Sequence, residues 1–246
     1  MALGGDLEPG TLLAGYRTGM FPMPLGDRIA WFSPDPRAVL PVGGMRVSRS
    51  LRRSVERMDI TVDACFGEVI RACADPCRPH GWITGEFTDA YSELHDLGWA
   101  HSVETWLEGE LVGGLYGVAI GAFFAGESMF HLERDAPKVA LVGLVGALRQ
   151  CHAPLLDVQW ATPHLESLGV IEIPRDDYLD SLRDAVLAPG PHGRMSRAAD
   201  SPPPSADSLA RFDRFGLTSV TFSCSVISLP QGTSGDASNR WSGYAA

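Results

Sequence analysis

Two carboxylates stand in strongly apolar company in this chain: Glu127 in FFAGESMF and Asp157 in PLLDVQWA. Removing an unpaired charge from water costs several kcal/mol, so each must meet a cation, a backbone amide or a ligand. Taken singly, each reads as a residue with a structural partner. Taken together on neighbouring strands, they would line one acidic cleft of the kind in which carboxylates do chemistry. Gln159 lies two positions beyond Asp157, and in a strand the two side chains would share a face. A carboxylate and an amide carbonyl would then reach one bound amine.

Other constellations carry less. Ser128, His131 and Asp157 make a triad on paper, yet no GxSxG elbow presents the serine. LVGGLYG lacks the GK[ST] of a phosphate loop, so its glycines read as positions of close backbone or ligand approach. His95, His101 and His131 read as satisfied core or surface residues. Cys73 and Cys77 have a three-residue gap, with no CxxC or HExxH beside them, and no metal is expected. Five cysteines spread along 246 residues point to reduced thiols.

The formal net charge of −10 argues against a protein that grips long nucleic acid by phosphate neutralisation. Lys138 is the only lysine, and the basic charge gathers in Arg46, Arg49, Arg52, Arg53 and Arg57. Their spacing suits either a solvated helix face or a local patch holding a few phosphates at an RNA end. A hydrophobic fraction of 45% and a mean hydropathy of +0.01 fit a globular protein. No run approaches the roughly 18 apolar residues of a membrane span, and MALGGDLEPG lacks a signal-peptide pattern, so cytoplasmic residence is expected.

These side chains need a scaffold. Residues 1–47, broken by prolines and glycines, read as a small N-terminal module. Helices are expected around Ser48 to Arg57, Phe66 to Ala74 and Thr88 to Leu97. HSVETWLEG, ELVGGLYGVAIG and AFFAGESMFH predict three adjacent antiparallel strands. DAPKVALVGLVGALRQ predicts a buried helix with Asp135 as N-cap and Pro137 in its first turn. LLDVQWA is a strand, TPHLESLG a capped helix, VIEIP a strand and DDYLDSLRDAV a last amphipathic helix. The whole of 48–187 is thus an α+β domain on one mixed sheet, similar to acyl-CoA N-acetyltransferases. Residues 188–246 are Pro/Ser/Gly-rich and expected to be disordered, with Val220 to Leu229 the one stretch suited to an edge strand.

The ordered motifs FP (Phe21, Pro22), W-x-SPDPRAVLP (Trp31–Pro41), HGWIT around Trp82, AHSVE from Ala100, ELVGGLYGVAIGAFFAGESMF, DAPKVAL, LLDVQ and HLESLGVIEIPRDDYL resemble the leucyl/phenylalanyl-tRNA-protein transferase family. The resemblance runs from about Gly4 to Leu182. It implies transfer of Leu or Phe, with Met a further candidate, from aminoacyl-tRNA to proteins starting with Arg or Lys, which marks them for degradation. No cofactor and no membrane partner are expected, and a monomer is. By resemblance Asp157, Gln159 and Glu127 carry the catalysis, and Glu127, Asp157 and Thr162 face the acceptor. Leu115, Phe124, Leu141, Leu144, Leu148 and Leu156 form the donor side-chain pocket. Tyr16, Met23, Trp82 and Tyr91 meet the terminal adenosine, with Arg49, Arg52 and Arg53 on the tRNA. The chain departs from the pattern at Met23, where some members have Trp, at Pro137 for Ser, and at Thr162 for Asn.

Two other functions suit the same elements. An acyl-CoA-dependent transferase would need a Q/RxxGxG/A turn before the buried helix, where HLERDAPKVAL stands instead. A non-catalytic binder of basic N-termini would bind peptide without transfer. If Asp157 is catalytic, Asp157→Ala is expected to lower turnover far more than stability.

Overall fold

The computed structural model describes residues 1–78, 81–150, 152–188, 212–213 and 216–217. A small three-stranded sheet comes first, ordered β1 (Ala2–Leu3), β3 (Arg28–Phe32), β2 (Phe21–Leu25), with α1 (Pro9–Arg17) before β2 in the chain. Pro9 opens α1, where a missing N–H and a fixed φ cost nothing.

The main sheet has seven strands in the order β10-β4-β9-β8-β7-β6-β5. They are β4 (Arg37–Pro41), β5 (Asp59–Val62), β6 (Ala100–Leu107), β7 (Glu110–Ile120), β8 (Phe123–His131), β9 (Leu155–Gln159) and β10 (Ile171–Ile173). All neighbours pair antiparallel except β8 and β9, which run parallel because α5 (Ala136–Gln150) crosses over between them. The expected meander is β6, β7 and β8. The sequence reading places β4 in an N-terminal module ending at residue 47, but it is a strand of the main sheet, between β9 and β10. β5, only four residues long, is not foreseen from the sequence.

The sheet is covered on both faces. α5, the short α2 (Arg49–Val55) and α6 (Pro163–Ser167) pack over one apolar layer, with Val139, Leu144, Leu148 and Leu51 at its centre. α1, α3 (Phe66–Cys73), α4 (Gly85–Asp96) and α7 (Arg175–Leu187) cover the other, around Leu12, Ile70, Leu94 and Leu182. Buried on both sides, β7 runs almost wholly apolar, as such strands must. Its glycines permit close approach. A Cβ at Gly117 would stand 2.1 Å from the Ala125 carbonyl oxygen, and one at Gly113 2.5 Å from the Ala136 Cβ.

Asp135 sits at φ +67 just before α5, its carbonyl accepting from the Val139 N–H at 2.9 Å and its carboxylate bonding the Lys138 ammonium at 3.0 Å. Thr162 caps α6, its hydroxyl accepting from the Leu165 N–H at 3.2 Å. Beyond residue 188 the described residues form two short strands, β11 (Phe212–Asp213) and β12 (Gly216–Leu217), paired with each other. The rest of the stretch expected to be disordered, with Val220 to Leu229, lies outside the described residues.

Candidate active site

Two β-bulges build the site. Along β7 and β8 the register passes from Tyr116↔Ser128 to Gly117↔Gly126, so Glu127 is the extra residue. Along β4 and β9 it passes from Val39↔Asp157 to Ala38↔Gln159, skipping Val158. A bulge bends its strand and re-aims the side chains around it. β8 and β9 stay paired only from Phe123↔Leu155 to Ala125↔Asp157, and the next residues of both strands line a cavity of about 310 Å³.

The second bulge corrects the sequence reading of Asp157 and Gln159 as neighbours on one face. Gln159 has φ +60, and the Trp160 N–H donates to the Val158 carbonyl at 2.7 Å, which makes Gln159 the centre of a tight γ-turn. The pleat therefore ends at Asp157. Gln159 turns to the cavity, where its amide nitrogen donates to Glu127 Oε1 at 3.3 Å. Because a carboxylate only accepts, this bond leaves the Gln159 carbonyl oxygen free for a ligand.

Asp157 goes the other way. It is fully buried, and its Oδ1 accepts from Arg37 Nε at 2.8 Å and from the Gln159 N–H at 3.0 Å. Its Oδ2 accepts from Arg37 Nη2 at 2.6 Å and from the Tyr178 hydroxyl at 2.9 Å. Arg37 is 1% exposed, lies over the rings of Phe21 and Tyr178 at 4.8 and 4.5 Å, and donates to the Gly19 carbonyl. Burial opposes the guanidinium charge, but the Asp157 carboxylate outweighs it and holds Arg37 above its ordinary pKa. Asp157 accepts two donors on each oxygen and is not among the cavity-lining residues. It anchors the turn that presents Gln159. The cleft thus holds one carboxylate, Glu127, and a Ser128–His131–Asp157 triad lacks its orienting member.

Around Glu127, the Tyr91 hydroxyl donates to Oε2 at 3.1 Å, and the Tyr16 and Tyr91 oxygens are 2.5 Å apart. Burial pushes Glu127 up to about 7; Tyr16 and Tyr91 pull it down by hydrogen bonding, the Asp157 charge raises it and Arg37 lowers it. Burial, then the Glu127 charge, raises both tyrosines well above their ordinary values, so they remain donors.

The cavity walls are Leu115, Leu141, Leu144, Leu156, Val158, Met129 and Leu165, with Glu127, Gln159 and Arg78 among its polar groups. Phe124 and Leu148, expected in the pocket, are fully buried and do not line it. Thr162 lines it, although its hydroxyl is used in capping. Arg78 spans two carbonyls, of Cys73 and Met129. Tyr16 and Tyr91 are 1% and 0% exposed, which leaves no ring face on which an adenine could stack. Trp82 and Met23 are partly buried; Trp82 packs edge-on to Phe87 at 5.4 Å. Trp160, not singled out by the sequence reading, is 43% exposed and packs edge-on to Phe21 at 4.8 Å, directly after Gln159.

Arg49, Arg52 and Arg53 are exposed on α2. His101 is buried and bonds Asp63 at 2.8 Å, and the partly buried His95 bonds the Ala100 carbonyl while stacking on Phe66, so both are satisfied within the fold. A second cavity of about 330 Å³, by the start of α5, is lined by His131, Arg134, Asp135, Pro137 and Lys138 and contains neither Glu127 nor Gln159. Among the described residues no group of His, Cys, Asp and Glu could hold a metal ion.

Comparison with known proteins decides the family. Residues 39–183 match the leucyl/phenylalanyl-tRNA protein transferase family, and residues 5–35 match the N-terminal domain of the same transferase. The chain belongs to this transferase family. It is 49% identical over 202 residues to the leucyl/phenylalanyl-tRNA–protein transferase of Aromatoleum aromaticum, spanning 80% of this chain and 85% of that one. A second transferase of that name, from Syntrophotalea carbinolica, is 48% identical over 77% of this chain and 85% of its own. Among solved structures, a putative lysylphosphatidylglycerol synthetase domain from Agrobacterium fabrum aligns at TM-score 0.38 and 13% identity, covering 65% of this chain and 55% of that one. A GCN5-related N-acetyltransferase-like protein from Streptococcus suis aligns at 0.33 and 11%, covering 67% and 64%.

In this transferase the N-terminal match ends at residue 35 and the main match begins at 39, inside β4, where the chain enters the seven-stranded sheet. Arg37 stands between them, and the sequence reading gives it no role. Its signal is nonetheless local: a lone cation in the apolar strand RAVLP requires a buried anion, and Asp157 is the matching one.

Proposed function

We propose that the chain transfers leucine or phenylalanine from the 3′ end of aminoacyl-tRNA to the N-terminal amine of proteins beginning with Arg or Lys, marking them for degradation. The observation that carries the reading is the cavity, apolar at Leu115, Leu141, Leu144 and Leu156 and bearing Glu127 and Gln159. The donor side chain fills the apolar part. A side chain branched at Cβ carries its bulk beside the ester instead of out among the leucines, so Leu, Phe and Met are favoured over Ile and Val. The acceptor amine takes the Gln159 carbonyl oxygen as hydrogen-bond acceptor, and Glu127 faces the acceptor's positive charge.

The aminoacyl ester is already activated, so the work is positioning and charge stabilisation. The neutral amine attacks the ester carbonyl carbon, a C–N bond forms, the C–O bond to the terminal ribose breaks, and the proton lost by nitrogen ends on the departing ribose oxygen. An α-amine with a pKa of about 8 supplies enough neutral nucleophile. The half-exposed Trp160, directly after Gln159, offers a ring to a nucleobase, with the partly buried Trp82 a second candidate. The reading includes a monomer acting in the cytoplasm; among the described residues no helix is long and apolar enough to cross a membrane.

The test is transfer of labelled Leu or Phe from charged tRNA to an Arg-starting peptide, with a Glu-starting peptide as the negative. Absence of transfer from Leu-, Phe- and Met-charged tRNA alike refutes the reading. Peptide binding without transfer would make the protein a binder of basic N-termini.

A further inference from the structure

We infer that Tyr16 and Tyr91 are positioning residues acting through Glu127: their paired hydroxyls hold its carboxylate in place against Gln159, and neither ring contacts the tRNA nucleoside. The inference rests on the reading above, in which Glu127 and Gln159 handle the acceptor.

The geometry carries a direction. Tyr91 donates to Glu127 Oε2, and the Tyr16 hydroxyl stands against the Tyr91 oxygen and also bears on Glu127, so the two hydroxyls converge on the carboxylate. Tyr16 comes from α1 and Tyr91 from α4, so the two helices meet at the site through these hydroxyls. Tyr91 is enclosed by Phe87, stacked at 6.4 Å, and by Tyr116, edge-on at 5.5 Å. No base can reach either face without dismantling this packing.

The consequence for Gln159 is electrostatic. An ionised Glu127 accepts from the Gln159 NH₂ and so leaves the carbonyl for the amine; a protonated one can donate to the carbonyl and reverse the amide. The groups whose charge or hydrogen bonding bears on Glu127 are Tyr16, Tyr91, Tyr116, Asp157 and Arg37, with Arg78 lining the same cavity. Burial has already pushed Glu127 up to about 7, and the tyrosines oppose it. Losing a donor moves it further up, so the active, ionised form is reached only at higher pH.

The test follows the Glu127 carboxyl carbon by NMR in the full ¹³C-labelled chain, Glu127→Gln assigning the signal, beside transfer kinetics. A midpoint near 7 is expected, moved up by about one pH unit in Tyr91→Phe and in Tyr16→Phe. In both variants kcat at pH 7 should fall about fivefold and recover about two units higher, with KM for aminoacyl-tRNA within about twofold. An unmoved midpoint overturns the inference, as does a KM raised at every pH with kcat retained, which would put the tyrosines on the nucleoside. If Tyr91→Phe does not fold, Tyr16→Phe decides. Glu127→Gln separately tests the underlying reading, since full transfer by that variant removes Glu127 from the reaction whatever the midpoints do.

Discussion

At the scale of single residues, the buried pair of Arg37 and Asp157 reverses an expectation. A catalytic Asp157 would let Asp157→Ala spare stability, but the substitution leaves a guanidinium 1% exposed and without its anion. Breaking one side of such a pair costs about 3–5 kcal/mol. Asp157→Ala and Arg37→Met should each lose stability of that order in urea denaturation, and Arg37→Lys should not restore it, because an ammonium cannot span both carboxylate oxygens. An Asp157→Ala variant as stable as the parent but inactive would return Asp157 to the chemistry. Asp157 is legible in the sequence as a buried charge; its partner lies 120 positions away in the chain, which no local pattern reveals.

At the scale of elements, the bulges in β8 and β9 place the functional groups, and glycines let the strands close on them. Gly117 faces the β8 bulge, and a methyl there would stand 2.4 Å from the Phe124 ring as well as against the Ala125 carbonyl. Backbone cannot yield as a flexible side chain does, so Gly117→Ala should destabilise by several kcal/mol and displace Glu127. Gly126→Ala, whose new methyl would be 3.6 Å from the nearest atom, should change stability little. Chemical denaturation of the two variants checks the contrast; equal effects would show that β7 and β8 have room to part. The strands and helices are legible from apolar periodicity and turn residues, as with Ala136–Gln150. The bulges are not, since one extra residue in a strand is set by its pairing with the neighbouring strand and leaves no mark in the local sequence.

At the scale of the whole molecule, an acidic chain of net charge −10 must hold a polyanion through a restricted patch. Arg49, Arg52 and Arg53 are exposed on α2, which packs against α5, the helix whose Leu141 and Leu144 line the cavity. Arg49→Glu with Arg52→Glu should raise KM for aminoacyl-tRNA about tenfold and leave KM for the acceptor peptide unchanged. The logarithmic dependence of tRNA affinity on salt should become shallower by about one for each phosphate no longer neutralised. Unchanged salt dependence would make the cluster a solvated helix face. The sequence by itself determined the α+β class and the family, and it singled out Leu115, Leu141, Leu144, Leu156, Glu127 and Gln159, which line one cavity, because periodicity, composition and motif order are properties of short segments. Only the tertiary structure decided which carboxylate faces the cavity, that Tyr91 hydrogen-bonds Glu127 with Tyr16 beside it, and that Arg37 neutralises Asp157. Those depend on which distant strands become neighbours and on where their register slips, and a buried charge takes its role from whatever group the fold sets beside it.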